Sequence, residues 1–261
     1  MLEVIEKGHC TDQHPVPLLF VHGAAHAAWC WEEHFLSYFA GKGYRAVALS
    51  FRGHGRSPTT KPLRKCTIKD YTDDVRTVAN ELPNPPVLIG HSVGGFVVQK
   101  YLESSTAPAA VLLASIPPAG AAGFFSRQFR RHPWLVTRAI ATGKSLHCIN
   151  TPKLARESFF CALTPESVVA RCAERLQEES AKIPLELTLR NLPKSERVTT
   201  PMLVLGGQLD ASVIPKELHA TAAGYGTNAE TFPDMGHDMM LEPGWQAVAE
   251  RIDGWLAAQG Y

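Results

Sequence analysis

Ser92, Asp210 and His237 are the side chains whose types, order and local settings would support acyl transfer. Ser92 lies in Gly90-His91-Ser92-Val93-Gly94, with a strand-like run, Val87-Leu88-Ile89, before it and a helical pattern after it. A residue that turns a strand into a helix projects its side chain outward, and small neighbours let the chain pass close without clashes. The amides opening the next helix point into the same space, where the helix dipole favours negative charge. A serine can also stand here as a helix N-cap, which accounts for Ser92 but not for the glycines around it.

A serine hydroxyl needs a base before it attacks, and the base needs a carboxylate to orient it, in chain order Ser, Asp or Glu, His. The run Met202–Leu205 ends in Gly206-Gly207-Gln208-Leu209-Asp210, and Phe232-Pro233-Asp234-Met235-Gly236-His237 follows a final strand-like run. Asp210 is then the expected acid and His237 the expected base, although Asp210 would also suit a turn or N-cap before Ala211-Ser212-Val213-Ile214-Pro215. Asp234 and Asp238 flank His237, but a connection so short makes it hard for either carboxylate to reach Nδ1. The oxyanion of a tetrahedral intermediate needs backbone donors. The Val93 amide, directly after the nucleophile, is one; Ala24, in Leu19-Phe20-Val21-His22-Gly23-Ala24-Ala25, is the other, with His22 expected to bond loop backbone.

These residues must be held at strand ends. Strand-like runs occur at Leu2–Ile5, Leu18–Val21, Ala46–Leu49, Val87–Ile89, Val111–Leu113, Met202–Leu205 and Ala229–Phe232. Most lack period-2 alternation, as strands buried on both faces do. Helical patterns such as Ile68–Leu82, Gly94–Ser104 and Trp245–Gln259 fall between them, which predicts a mostly parallel sheet with helices on both faces. From Pro117 to Thr199 no strand is evident; helices are expected at Phe124–Arg131, Trp134–Thr142, Thr151–Phe160 and Pro165–Lys182. The expected division is a core of residues 1–116 and 200–261, with 117–199 as a helical cap over the carboxyl edge of the sheet, where open α/β sheets bind ligands.

The chain has 261 residues, 45% of them hydrophobic, and a net charge of +1, enough for a sizeable core and no global reason for a nucleic-acid partner. The opening MLEVIEKGHC carries glutamates and no long apolar run, so no leader peptide, no stable membrane insertion and a cytoplasmic location are expected. Six cysteines fit no metal-binding spacing and are expected to be reduced and mostly buried; neither a metal nor another cofactor is implied.

Four blocks carry a resemblance: LLFVHGAAHAAWCW, FRGHGRS, GHSVGG, and the pair GGQLD and DMGHDMML. On these the chain resembles the α/β-hydrolase superfamily, over nearly all of its length outside the insert. Ser50 stands before FRGHGRS where that superfamily commonly has Asp, a departure expected to be structural. The first block is similar to small plant-type and bacterial carboxylesterases that cleave methyl or acyl esters; the monoacylglycerol-lipase-like branch is a looser match. Haloalkane dehalogenases and epoxide hydrolases of this fold carry an aspartate at the elbow where Ser92 stands here. Hydroxynitrile lyases have a lysine after the histidine, where this chain has Asp238. The resemblance implies a serine esterase or lipase-like hydrolase, cleaving a small to medium apolar carboxylic ester through an acyl-enzyme. Its alternatives are a thioesterase, C–C hydrolase or perhydrolase with the same triad, or a ligand receptor without turnover. Among the aromatic residues of the insert, Trp134 and Phe159 are the expected substrate contacts, and the basic run Arg127, Arg130, Arg131, His132 reads as a solvated face or an anion contact.

Overall fold

The computed structural model describes residues 1–261. Seven strands, β1 (Val4–Lys7), β2 (Leu18–Val21), β3 (Ala46–Leu49), β4 (Val87–His91), β5 (Ala110–Leu113), β6 (Met202–Gly207) and β7 (Ala229–Phe232), form one sheet in the order β1-β3-β2-β4-β5-β6-β7. Only β1 runs antiparallel to its neighbour; the other pairings are parallel. β2 through β6 are buried at every residue, which explains their unbroken apolar runs, while β1 and β7 are partly exposed edges. β1 lies two residues later than its hydrophobic run suggests, because pairing of Lys7 with Ala46 and Val4 with Leu49 sets its register.

Each sheet face has its own core. On one side Leu18 and Phe20 meet α1 (Trp29–Glu32), α2 (Phe35–Gly41) and α11 (Trp245–Ala258). On the other, Leu19 and Val21 meet α3 (Ile68–Glu81), α4 (Val93–Leu102) and α10 (Pro215–Gly224). The Thr67 side chain and Asp70 form a capping box that starts α3. From β2 the chain moves outward to β3, then returns across β2 to β4, so strand order reverses between β2 and β4. Ligands bind at such switch points, off the carboxyl ends of the strands. Ser50, where the superfamily commonly has Asp, accepts from the Ala28 amide at 2.9 Å and donates to Glu3 at 2.7 Å. The carboxylate there comes from the N-terminal segment.

Between β5 and β6 the chain is helical: α5 (Ala122–Arg131), α6 (Pro133–Thr142), α7 (Pro152–Phe159), α8 (Glu166–Arg175) and α9 (Ile183–Leu189). The single helix expected over 165–182 stops at Arg175, and Leu176 turns extended, φ −63° and ψ 143°. Tertiary hydrogen bonds take over there: the Gln177 amide donates to the Ala25 carbonyl at 2.9 Å, and the Ser180 hydroxyl to the Cys66 carbonyl at 2.6 Å. No helix is long and apolar enough to cross a membrane.

Candidate active site

Ser92 joins β4 to α4 with φ 52° and ψ −118°, a conformation a non-glycine residue adopts only under constraint. The constraint is close packing. A Cβ at Gly94 would collide with the carbonyl oxygens of Val21 and His22, and one at Gly90 would come within 2.7 Å of the Gly95 Cα. These glycines let α4 start hard against β2 and β4. The Ser92 hydroxyl makes no cap bond to its helix, so the N-cap role does not apply.

His237 follows β7. Its Nδ1 lies 2.8 Å from Asp210 Oδ2, with both residues buried. Asp210 serves two ends: Oδ2 meets His237, and Oδ1 accepts the amides of Ser212 at 2.7 Å and Val213 at 2.8 Å, fixing the turn after β6. Burial disfavours a charged His237, but Asp210, by charge and hydrogen bond, with the charges of Asp238 and Glu242 behind it, holds the ring above the ordinary histidine range. The His237 amide donates to the Phe159 carbonyl at 2.9 Å, and His91 Nε2 lies 3.0 Å from the His237 carbonyl, so the loop is fastened from two elements. Burial first, and His237 second, push His91 down to about 3, which keeps it neutral and a donor. Ser92 and His237 line the same cavity, without a hydrogen bond between them. Such bonds are often long before substrate is bound.

Neighbouring parallel strands set the other wall. Val21 of β2 pairs with Gly90 of β4, which brings Gly23–Ala25 beside Ser92; a Cβ at Gly23 would lie 3.0 Å from the Ser92 Cβ. The amides of Ala24 and Val93 donate no hydrogen bond within the protein, and both residues line the cavity. His22 bonds loop backbone: the Phe51 amide donates to Nε2 at 3.0 Å, which leaves Nδ1–H to donate to the Gly23 carbonyl at 2.7 Å. Burial pushes His22 well below the ordinary histidine range.

The cavity measures about 660 Å³, and 19 of its 34 lining residues are hydrophobic. Phe159 lines it, its ring centroid 6.1 Å from that of His237. Trp134 does not: α6 turns Leu135, Val136 and Ala139 inward and leaves Trp134 76% exposed, since helical spacing puts it on the other face. Trp134, expected as a substrate contact, thus lies off the wall of this cavity, whereas Phe159 is on it. The basic run is partly paired: Arg127 meets Glu217 at 2.7 Å and the Ser212 carbonyl at 2.8 Å, and His132 meets Glu157 at 2.6 Å.

Two contacts escaped the sequence. Asp238 turns its carboxylate to His26 Nε2 at 3.0 Å, and Glu179, from the insert, is buried against the turn after β2. The HGAAH spacing offered a signal for His26; nothing local marked Glu179. His26, Cys172 and Asp238 have metal-ligand types with ligand atoms within 4.8 Å of one another. His26 and Asp238 already satisfy each other, and burial pushes the Cys172 thiol up, away from the thiolate a metal would take. The donor set fits a hydrogen-bond network better than an ion. All six cysteines are free.

A serine at positive φ on a strand–helix corner, sharing a cavity with the histidine of an Asp–His couple at the carboxyl edge of a parallel sheet, is the arrangement of an α/β hydrolase. The chain belongs to the alpha/beta hydrolase family, whose model matches residues 18–251. It is similar to a monoacylglycerol lipase of Mycolicibacterium smegmatis, 26% identical over 95% of this chain and 90% of that protein. Methylesterase 18 of Arabidopsis thaliana is 34% identical over a shorter stretch, 30% of this chain and 29% of that protein. Among solved structures, an esterase from Thermogutta terrifontis aligns with a TM-score of 0.77 at 20% identity, over 100% of this chain and 94% of that one. At that identity the likeness speaks to the fold alone.

Proposed function

We propose that the protein is a serine carboxylic-ester hydrolase whose nucleophile, acid and base are Ser92, Asp210 and His237. The observation that carries this reading is the 2.8 Å contact of His237 with Asp210, on the wall of the apolar cavity that Ser92 also lines. The names of its relatives, a lipase and a methylesterase, support an ester as substrate.

In this reading the Ser92 Oγ attacks the ester carbonyl carbon while its proton passes to His237 Nε2. The carbonyl oxygen becomes an oxyanion and accepts from the Ala24 and Val93 amides, each such donor contributing on the order of a hundred- to thousandfold in rate. The intermediate collapses; the alkoxide takes the proton from His237 and leaves as the alcohol. Water then attacks the acyl-Ser92 ester, giving its proton to His237, and the acid departs as Ser92 regains it. Asp210 keeps the Nδ1 proton in place and stabilises the imidazolium at each transfer.

Residues 117–199 act as the cap. Their helices supply much of the cavity's apolar lining, including Phe124, Phe125, Val136 and Phe159, and hold the substrate's apolar part. Hydrolysis of p-nitrophenyl esters from acetate to palmitate, with fluorophosphonate labelling of Ser92, tests the assignment. Ser92→Ala is expected to lower kcat by up to about a millionfold with the fold intact. Activity within tenfold of the unsubstituted protein would overturn the nucleophile.

A further inference from the structure

The turn that carries Ala24 is held by contacts from outside its own strand. Ala25 has φ 61°, which costs an alanine free energy, so its neighbours must impose it. The peptide unit between Ala24 and Ala25 is gripped at both ends. His26 Nδ1 meets its carbonyl, that of Ala24, at 2.8 Å, and its amide, that of Ala25, donates to Glu179 Oε2 at 3.4 Å. The next carbonyl, that of Ala25, accepts from the Gln177 amide at 2.9 Å. Two of these grips come from the extended stretch after α8, inside the insert between β5 and β6.

That stretch is itself fastened to the core. The Gly55 amide donates to Gln177 Oε1 at 2.6 Å, and the Ser180 hydroxyl to the Cys66 carbonyl at 2.6 Å. Glu179 is buried and accepts hydrogen bonds at both oxygens. Its Oε1 accepts from the Tyr71 hydroxyl and the Ser180 amide, each at 2.6 Å, and its Oε2 faces His54 Nε2 at 3.4 Å as well as the Ala25 amide. Burial works against its charge, but His54 and these hydrogen bonds hold it below the ordinary glutamate range. A carboxylate with donors around both oxygens has one orientation, and so has the amide it receives.

We propose that Glu179 is a positioning residue for the reaction, setting through Ala25 the direction of the Ala24 amide, so that the insert takes part in stabilising the oxyanion. The inference rests on the reading of Ser92 as nucleophile and Ala24 as oxyanion donor. Glu179 lines the cavity, but its two oxygens are taken up by Tyr71, Ser180 and the Ala25 amide, so it acts through the backbone. It therefore matters most in the transition state, when the carbonyl oxygen has moved and gained charge, and little in the ground-state complex.

Glu179→Gln keeps the shape and removes the charge; Tyr71→Phe removes one donor that orients Glu179. Each is compared with the unsubstituted protein for kcat, KM, melting temperature and affinity for a trifluoromethyl ketone, which Ser92 converts to a tetrahedral adduct. Glu179→Gln is expected to lower kcat by about ten- to a hundredfold with KM within about threefold, and to weaken the ketone by the same factor as kcat/KM. Tyr71→Phe should give a smaller loss in the same direction, and it decides the matter alone if Glu179→Gln does not fold. Folded variants with kcat within about twofold of the unsubstituted protein, or with kcat lowered and ketone affinity unchanged, would overturn the proposal. Ser92→Ala separates the two levels: if it still hydrolyses ester, the reading of the site fails before Glu179 is at issue.

Discussion

Asp238, the residue directly after His237, aims its carboxylate at His26 and not at the His237 ring. Its Oδ2 lies 3.0 Å from His26 Nε2, while Asp210 takes His237 Nδ1 at 2.8 Å. Two acids thus serve two separate rings. The other nitrogen of His26 faces the Ala24 carbonyl at 2.8 Å, so the ring is held between two oxygen partners. The pair ties the loop bearing His237 to the turn after β2.

Breaking that tie is expected to be costly. Burial would raise Asp238, but His26, with His91 and His237 behind it, outweighs that and holds the carboxyl below the ordinary aspartate range. A depressed acid stabilises the fold above its unfolded value, about 4, and the contribution is lost as pH falls through the lower folded value. Asp238→Asn should therefore cost about 3–5 kcal/mol at neutral pH, as broken buried pairs do, and should flatten the acid limb of stability below about pH 4. Equal denaturation midpoints at pH 7 would refute the pair.

The pH dependence of kcat/KM follows from His237. As the proposed base, His237 works only when neutral, and Asp210 raises the pKa of its ring against the effect of burial. Activity should rise with pH through a single ionisation lying above the ordinary histidine value of about 6.5. Asp210→Asn should move that midpoint down and lower kcat by roughly a thousand- to ten-thousandfold. An unchanged profile in the variant would show that another group orients the base.

Backbone strain at Ser92 is separable from its chemistry. Glycine adopts φ 52° with ψ −118° freely, whereas alanine does not. Ser92→Gly should gain about 1 kcal/mol of stability, part of the strain being offset by glycine's extra unfolded freedom, and Ser92→Ala should gain none. Urea denaturation of the two inactive proteins measures the difference.

Two glycines should respond oppositely to the same change. A methyl at Gly94 meets backbone oxygens that cannot step aside, whereas Gly254, inside α11, has nothing within 4 Å. Gly94→Ala is expected to cost about 1–3 kcal/mol or more and to lower kcat by displacing the Val93 amide. Gly254→Ala should gain about 0.5–1 kcal/mol, as a solvent-facing helix position does. Similar shifts in melting temperature for both would contradict the packing given for Gly94.

Phe159→Ala should change the preference among ester chain lengths by about 1–3 kcal/mol, chiefly in KM, because the ring borders the cavity beside His237. Trp134→Ala, an exposed position off the cavity, should alter neither that preference nor stability by more than about 0.5 kcal/mol. Measuring kcat/KM for three ester lengths beside melting temperature checks both; a length effect at Trp134 alone would reverse the assignment of the lining.

The sequence by itself determined the parallel sheet, the strand–serine–helix corner and the placing of Asp210 and His237 after late strands. Those features reside in consecutive residues: unbroken apolar runs such as Leu18–Val21, glycines on either side of Ser92, turn residues after Met202–Gly207. Beyond the Asp210–His237 couple, tertiary structure alone decided which side chains meet. His26 and Asp238 lie 212 positions apart, Ala25 and Glu179 lie 154 apart, and neither pair leaves a local pattern. The same holds for the helix that ends at Arg175: its continuation carries helical propensity, but bonds to Ala25, Gly55 and Cys66 outweigh it. Trp134 faces outward for a related reason. Composition marks an aromatic residue as suited to a pocket, but only the packing of α6 against its neighbours selects which helical face looks into the cavity.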